Sequence, residues 1–511
     1  MTDKPPIDLS NYIKVSINTL RTKVGGTKVA RELLKVAGFV SEDNFTYTKT
    51  EEILPVGEAC PLENRDSFKP VGENKKLIVT SYLIGSKVNS QIWKSITDLK
   101  TKLGAQLVII AHRYKNPTNL QESLRQSEGS EYIDPRVEKY LCWEDFHYGE
   151  HDILASIQVN CTTLNPLTQI KKFAVNHSII GHSTQSLLVK PTLAGKMPPV
   201  LWSTGTISEI EEANNLRAKQ AQFHYKYGCI LVNPVSNSSR NIHFSKAGNF
   251  SDIDAGVYED GRFIAKAKES YKAVIWGDSH HGSTCPDTFK WQLNATKHLN
   301  PTKLYLHDFI DAATVNPHAS KLERSRCFNG NLHEEFESCA KQLNHIIACL
   351  EDGAGQTTIN LVKSNHPDMV SRHFLTNTIE DLSESEILIL PLWLQNNKTP
   401  EAVLKLLCNS RTYLKVEIVD EYSPEDGKLT LNIHGDKGVN GSRSSAAQLF
   451  NNGFIGAVGH GHSPFILGGA NGVGTSTYLD LGYNKYGSSS WCQSIATVNK
   501  FDKIQHLIRF F

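Results

Sequence analysis

Short apolar runs, each closing on Asp, Asn or His, recur through the second half of the chain. Ala273-Val274-Ile275-Trp276 runs into Gly277-Asp278, and Lys303–Leu306 runs into His307-Asp308. Thr358–Val362 leads to Asn365-His366, Leu429–Ile433 ends at His434, and Phe454–Val458 ends at Gly459-His460. Such runs predict buried strands, so each polar segment follows the carboxyl end of a strand. Loops at that end of a layered α/β sheet converge on one site. Leu332–Leu350 carries its apolar residues at helical spacing and predicts an amphipathic helix. Ser494–Val498 and Ile504–Ile508 predict a closing hairpin.

Upstream, Leu77–Tyr82 and Leu107–Ala111 read as buried strands around a helix over Asn89–Leu103. That strand–helix–strand order implies a parallel pair. Leu187–Val189 and Cys229–Val232 extend the α/β pattern to about residue 265. Residues 46–75 are polar and punctuated by Pro55, Gly57, Pro61, Pro70 and Gly72, as in a linker. Residues 10–45 read as helical, with Thr27 capping a helix Lys28–Ala37 that stops at Gly38. The expected organisation is a basic helical segment over 1–50, a linker over 51–75, an α/β accessory domain over 76–265, and a site-bearing domain over 266–511. No internal repeat and no low-complexity run shows in the sequence.

Composition narrows the class. With 511 residues, 39% hydrophobic and 21% charged, the chain has the make-up of a multidomain globular protein. Net charge is +1, so attraction to a polyanion has to be local. It is local at the amino terminus. Lys14, Arg21, Lys23, Lys28, Arg31 and Lys35 face Glu32 alone between Tyr12 and Ala37, and two helices around Gly25-Gly26 are compatible with a helix-turn-helix. Arg21, Lys23, Lys28 and Arg31 are the candidate DNA contacts; a solvated helical arm is the plainer reading. No stretch approaches the roughly 18 apolar residues that cross a bilayer, and no signal-peptide pattern opens the chain. The ten cysteines form no Cys-x-x-Cys pair, which suggests reduced thiols and a cytoplasmic protein.

The strand-end segments carry the chemistry. Gly277-Asp278-Ser279-His280, His307-Asp308, Asn365-His366, Ile433-His434-Gly435 and Gly459-His460-Gly461-His462 together offer Asp278, Asp308 and Asn365 as oxygen donors and His280, His434, His460 and His462 as imidazoles. Such a set suits two adjacent divalent cations, with Asp308 the natural bridge. Asn176-His177 and Gly181-His182 mimic two of these segments, but no Asp-x-His precedes them, and they read as loop polar residues. Glu144, Asp145, His147 and His151 read as a solvated acidic loop rather than a second metal cluster.

The five segments resemble the calcineurin-like metallophosphoesterase superfamily over about residues 270–511, with His307 and Ser364 where that pattern has Gly. The resemblance implies a four-layer α/β/β/α sandwich over 266–511, preceded by the α/β amino-terminal domain and its basic helical arm. It implies one ion on Asp278, His280, Asp308 and His462, and a second on Asp308, Asn365, His434 and His460. His366 would protonate the leaving oxygen. Asp311 would either support His366 or contact substrate: the protein-phosphatase branch has Asp there, SbcD-type nucleases usually His. His281, His318 and His373 are further candidates for contact with substrate.

The motifs define a reaction class and leave the substrate open. The basic arm, the large extra domain and a similarity to long, host-DNA-degrading phage metallophosphoesterases of the T-five type favour a Mn-dependent DNase. That similarity would place it in infected bacterial cytoplasm, with Fe or Zn as other metals. The alternatives are a phosphatase or phosphodiesterase acting on nucleotides or phosphoproteins, and a non-catalytic DNA-binding or assembly protein. Homo-oligomerisation is compatible with the extra domain.

Overall fold

The computed structural model describes residues 14–16, 39–41, 46–49, 67–72, 74–112, 132–193, 195–210, 216–260, 262–351, 357–420, 428–482 and 484–510. Arg21, Lys23, Lys28, Arg31 and the expected helix Lys28–Ala37 lie outside them. Inside the segment expected to be helical, Lys14–Ser16 is a strand, in a three-stranded antiparallel sheet with Thr46–Lys49 and Phe39–Ser41. Ile13, Val15 and Ile17 alternate with polar residues there, a period-two pattern that favours a strand over a helix.

Two large sheets stack with helices outside both, giving the α/β/β/α layering. The larger sheet has eleven strands, in the order Val416–Val419, Thr358–Val362, Lys303–Leu306, Tyr271–Trp276, Ser494–Asn499, Ile504–Arg509, Ser238–His243, Gly228–Asn233, Leu77–Leu83, Gln106–His112, Leu141–Cys142. The smaller has eight: Gly456–Val458, Ala470–Gly472, Phe465–Leu467, His182–Val189, Val200–Gly205, His177–Ile180, His151–Ile153, Phe146–Tyr148. Both sheets take strands from either side of residue 265, so the accessory segment is not a separate body.

The strand orders also show an internal repeat that the sequence hid. Outward from the antiparallel joint Ile504–Arg509/Ser238–His243, each half of the larger sheet runs antiparallel, antiparallel, parallel, parallel, and the carboxyl-terminal half adds a further parallel pair, Thr358–Val362 with Val416–Val419. In the smaller sheet the three strands on each side of the Leu187–Ile466 pair mirror one another, and His151–Ile153 and Phe146–Tyr148 extend the amino-terminal side alone. The chain visits corresponding strands in the same order in both halves. The helices match as well: Ser90–Leu103 and Pro286–Leu299 both span 14 residues and both end in a left-handed cap, Gly104 and Asn300.

The apolar pattern builds these layers. In Leu77–Leu83, Ile78 and Tyr82 enter the core under the helix Ser90–Leu103, while Leu77 and Val79 enter the core between the sheets. Val274 and Trp276 do the first in the other half, and Ala273 and Ile275 the second. The predicted helix and hairpin are present as Leu332–Glu351 and as Ser494–Asn499 with Ile504–Arg509. The joint between halves carries a buried polar latch. Asn241 Nδ2 donates to Gln185 Oε1 at 3.1 Å, and Asn241 Oδ1 accepts from His506 N at 2.8 Å. Among the described residues no helix is long and apolar enough to cross a membrane.

Candidate metal centre

The loops after Tyr271–Trp276 and Lys303–Leu306 are laced by their backbones. Ser279 N donates to His307 O at 3.0 Å and His280 N to Asp308 O at 2.8 Å. This zipper sets Asp278, His280 and Asp308 side by side at the strand ends. The loop after Gly456–Val458 closes over them. A Cβ on Gly459 would fall 2.4 Å from Asp278 Oδ1 and 2.7 Å from His307 Cγ, so only glycine admits this approach.

All seven expected donors converge. His462 Nε2 lies 2.9 Å from Asp278 Oδ2 and 3.1 Å from His280 Nε2, and His280 Nε2 lies 3.9 Å from Asp308 Oδ2. On the other side of Asp308, His434 Nε2 is 3.2 Å from Asp308 Oδ2 and 3.0 Å from Asn365 Oδ1. His460 Nδ1 is 3.1 Å from the same Asn365 oxygen. Asp308 Oδ2 thus faces one histidine of each expected set, His280 and His434. Asp278, His280 and His462 bring ligand atoms within 4.8 Å of one another, and so do Asp278, His307 and His434.

Cations suit this donor set. Asp278 and Asp308 are buried, which opposes their charge, yet the imidazole of His434 holds both carboxyls below the usual range. His434 is itself pushed up to about 9: burial opposes its charge, and Asp308 and Asp278 outweigh it. Imidazole nitrogens turned toward one another across 3.1 Å, amid ionised carboxylates, are the arrangement a shared cation satisfies. The backbone is strained to produce it. His280, Asp308, His460 and His462 have φ of 41°, 40°, 58° and 51°, left-handed values for non-glycine residues. Each costs on the order of 1–3 kcal/mol, and such strain gathers at functional sites.

His366 sits beside the donors. Its backbone N donates to Asp308 Oδ1 at 3.3 Å, and its Nδ1 lies 2.9 Å from Asp311 Oδ1. Burial lowers its pKa, but the Asp311 hydrogen bond and the Asp308 and Asp311 charges outweigh that and raise it to about 9. Asp311 does not serve His366 alone, for His280 Nδ1 lies 2.8 Å from the same oxygen. Trp491 stands edge-on to His462, with ring centroids 4.2 Å apart, and walls that side.

The expected substrate contacts are elsewhere. The ring of His281 lies between Phe309 and Phe328; its Nε2 bonds Ser338 Oγ at 2.8 Å and its Nδ1 bonds Gln342. Both nitrogens are committed to the helix Leu332–Glu351, so His281 ties that helix down rather than lining a cleft. His318 is exposed on a loop, and His373 Nε2 lies 3.0 Å from Glu386, toward a neighbouring helix.

His177 and His182, from the two segments read as loop mimics, each open a strand in the amino-terminal half. His177–Ile180 and His182–Val189 correspond to Gly456–Val458 and Phe465–Leu467, which puts Gly181-His182 in the place of Gly459-His460. The match extends to the hydrogen bonds. Thr206 Oγ1 donates to Ser81 O at 3.2 Å as Thr475 Oγ1 does to Asp278 O at 3.0 Å. Ile84 N donates to His112 O at 2.9 Å as His281 N does to Phe309 O at 3.1 Å. Ser81, Leu83 and Ala111 therefore stand where the other half has Asp278, His280 and Asp308. The acids are gone from those places, leaving His112 and His182 stacked at 6.1 Å. Nor is Glu144–His151 a solvated loop: Phe146–Tyr148 and His151–Ile153 form a hairpin, and His151 is buried.

No protein-family model and no curated protein sequence matches the chain. Fold and site together define the class: an α/β/β/α sandwich with adjacent His/Asp clusters arranged as a two-ion hydrolase centre. Both are consistent with the calcineurin-like metallophosphoesterase fold.

Proposed function

We propose that this chain is a metal-dependent phosphodiesterase that hydrolyses DNA, with two Mn²⁺ ions as its cofactor and bacterial cytoplasm as its place of action. The observation that carries the phosphoesterase reading is Asp308 Oδ2 facing both His280 and His434, with His366 held alongside by Asp311. Asp278, His280, Asp308 and His462 would hold one ion, and Asp308, Asn365, His434 and His460 the other. Paired cations supply an activated hydroxide and neutralise charge on both oxygens of an in-line displacement at phosphorus.

The chain's own residues supply the rest. With Nδ1 of His366 engaged by Asp311, Nε2 is the atom that delivers a proton to the leaving oxygen. Asp311 orients that ring and keeps it charged. The DNA assignment rests on the excess of Lys and Arg between Tyr12 and Ala37, which suits a phosphate backbone. Incubating the purified chain with Mn²⁺ and linear, circular or single-stranded DNA tests it. DNA cleavage is expected; rapid hydrolysis of mononucleotides or phosphoproteins with DNA left intact would replace it with the phosphatase reading.

A further inference from the structure

His307 is an imidazole packed against the centre whose role the two ligand sets leave open. Its ring is fully buried, and its Nδ1 lies 3.4 Å from Nδ1 of His434. The ring centroids are 5.6 Å apart at an interplanar angle of 32°. Space for the ring exists because residue 459 is glycine.

His434 faces the centre with its other nitrogen, Nε2, 3.2 Å from Asp308 Oδ2 and 3.0 Å from Asn365 Oδ1. An imidazole that gives a cation its Nε2 lone pair carries its proton on Nδ1, and that buried N–H needs an acceptor. Two acceptors are near: His307 Nδ1 at 3.4 Å and Asp278 Oδ1 at 3.9 Å. The Asp278 oxygen already accepts from His460 N at 3.0 Å, which leaves His307 as the better placed. The ring is held there at a cost, because His307 Nε2 is buried without a hydrogen-bond partner. Leu or Phe would fill the same space without stranding a polar atom. What the imidazole adds is its Nδ1.

We propose that His307 is a positioning residue: its Nδ1 accepts the Nδ1–H of His434 and holds His434 in the tautomer and orientation that ligate the second cation. This rests on the two-cation reading of the site and is independent of the substrate.

The test is calorimetric titration of the metal-stripped full-length chain with Mn²⁺, with bound metal counted by mass spectrometry, for His307→Phe and His307→Asn. His307→Phe keeps the bulk and removes the acceptor; the first ion stays and the second weakens roughly 10–100-fold, as for loss of an outer-shell partner. His307→Asn offers Oδ1 near the position of Nδ1 and restores most of the affinity. Wild-type affinity for both ions in the Phe variant would overturn the proposal. Equal weakening in the two variants would overturn it in favour of His307 as a ligand. Loss of both ions from both variants would also overturn it, in favour of a purely architectural ring. No substrate enters the measurement, so failure of the DNA assignment leaves the result readable.

Discussion

Oδ1 of Asp311 lies 2.9 Å from Nδ1 of His366, and this one carboxylate oxygen is also 2.8 Å from Nδ1 of His280. It couples the proposed proton donor to a proposed metal ligand. Asp311→Asn keeps the shape and replaces a charged acceptor with a neutral one. Turnover and affinity for the first ion should both fall, each on the order of 10–100-fold. Steady-state kinetics with metal titration checks this; a variant losing turnover with unchanged metal affinity would confine Asp311 to His366.

His366→Gln should lower kcat by roughly 10²–10⁴, the range of general acid catalysis. Metal content should stay at the wild-type value, since His366 Nδ1 is engaged by Asp311. Metal analysis beside kcat decides it. Lost metal would make His366 a ligand.

The two halves make opposite predictions for equivalent histidines. His460→Asn should weaken binding of the second ion and depress turnover. His182→Asn, in the corresponding place, should leave metal content and turnover unchanged, because Ser81, Leu83 and Ala111 replace the ligands around it. Metal retained by Asp308→Ala and lost on His182→Asn would mean that the amino-terminal half binds ions as well.

Asn241 latches the halves together. Asn241→Ala strands Gln185 Oε1 and the backbone N–H of His506 in the core. Each stranded buried group costs about 1–3 kcal/mol. Denaturant unfolding should show that loss in a single transition, since both sheets cross the joint. A separate early transition for one half would contradict the shared-sheet architecture.

The site was legible because each donor lies a few residues past an apolar run, so strand, loop and ligand are neighbours in sequence. The strand before His434 is the exception: Thr430 forms only an isolated bridge to Gly456. The repeat was illegible because it lies in strand order and backbone hydrogen bonds, while the residues that would reveal it have changed. His182 reads as a stray polar residue until Ser81 and His112 are placed beside it. His281 misled because a histidine next to a ligand says nothing of the direction of its ring; Ser338 and Gln342, on a helix more than fifty residues later, settle that. His307 went unread because its partner His434 is 127 positions away. At the amino terminus the basic residues suggested a helix, whereas alternation through Val15 produced a strand.

The most direct test of the account is release of acid-soluble nucleotide from linear duplex DNA by metal-stripped protein on adding Mn²⁺, with Asp308→Ala in parallel. Cleavage is expected from the wild-type chain only when Mn²⁺ is present, and none from Asp308→Ala, which removes the carboxylate proposed to serve both ions. Cleavage by Asp308→Ala at the wild-type rate, or by the wild-type chain in excess chelator, would contradict it.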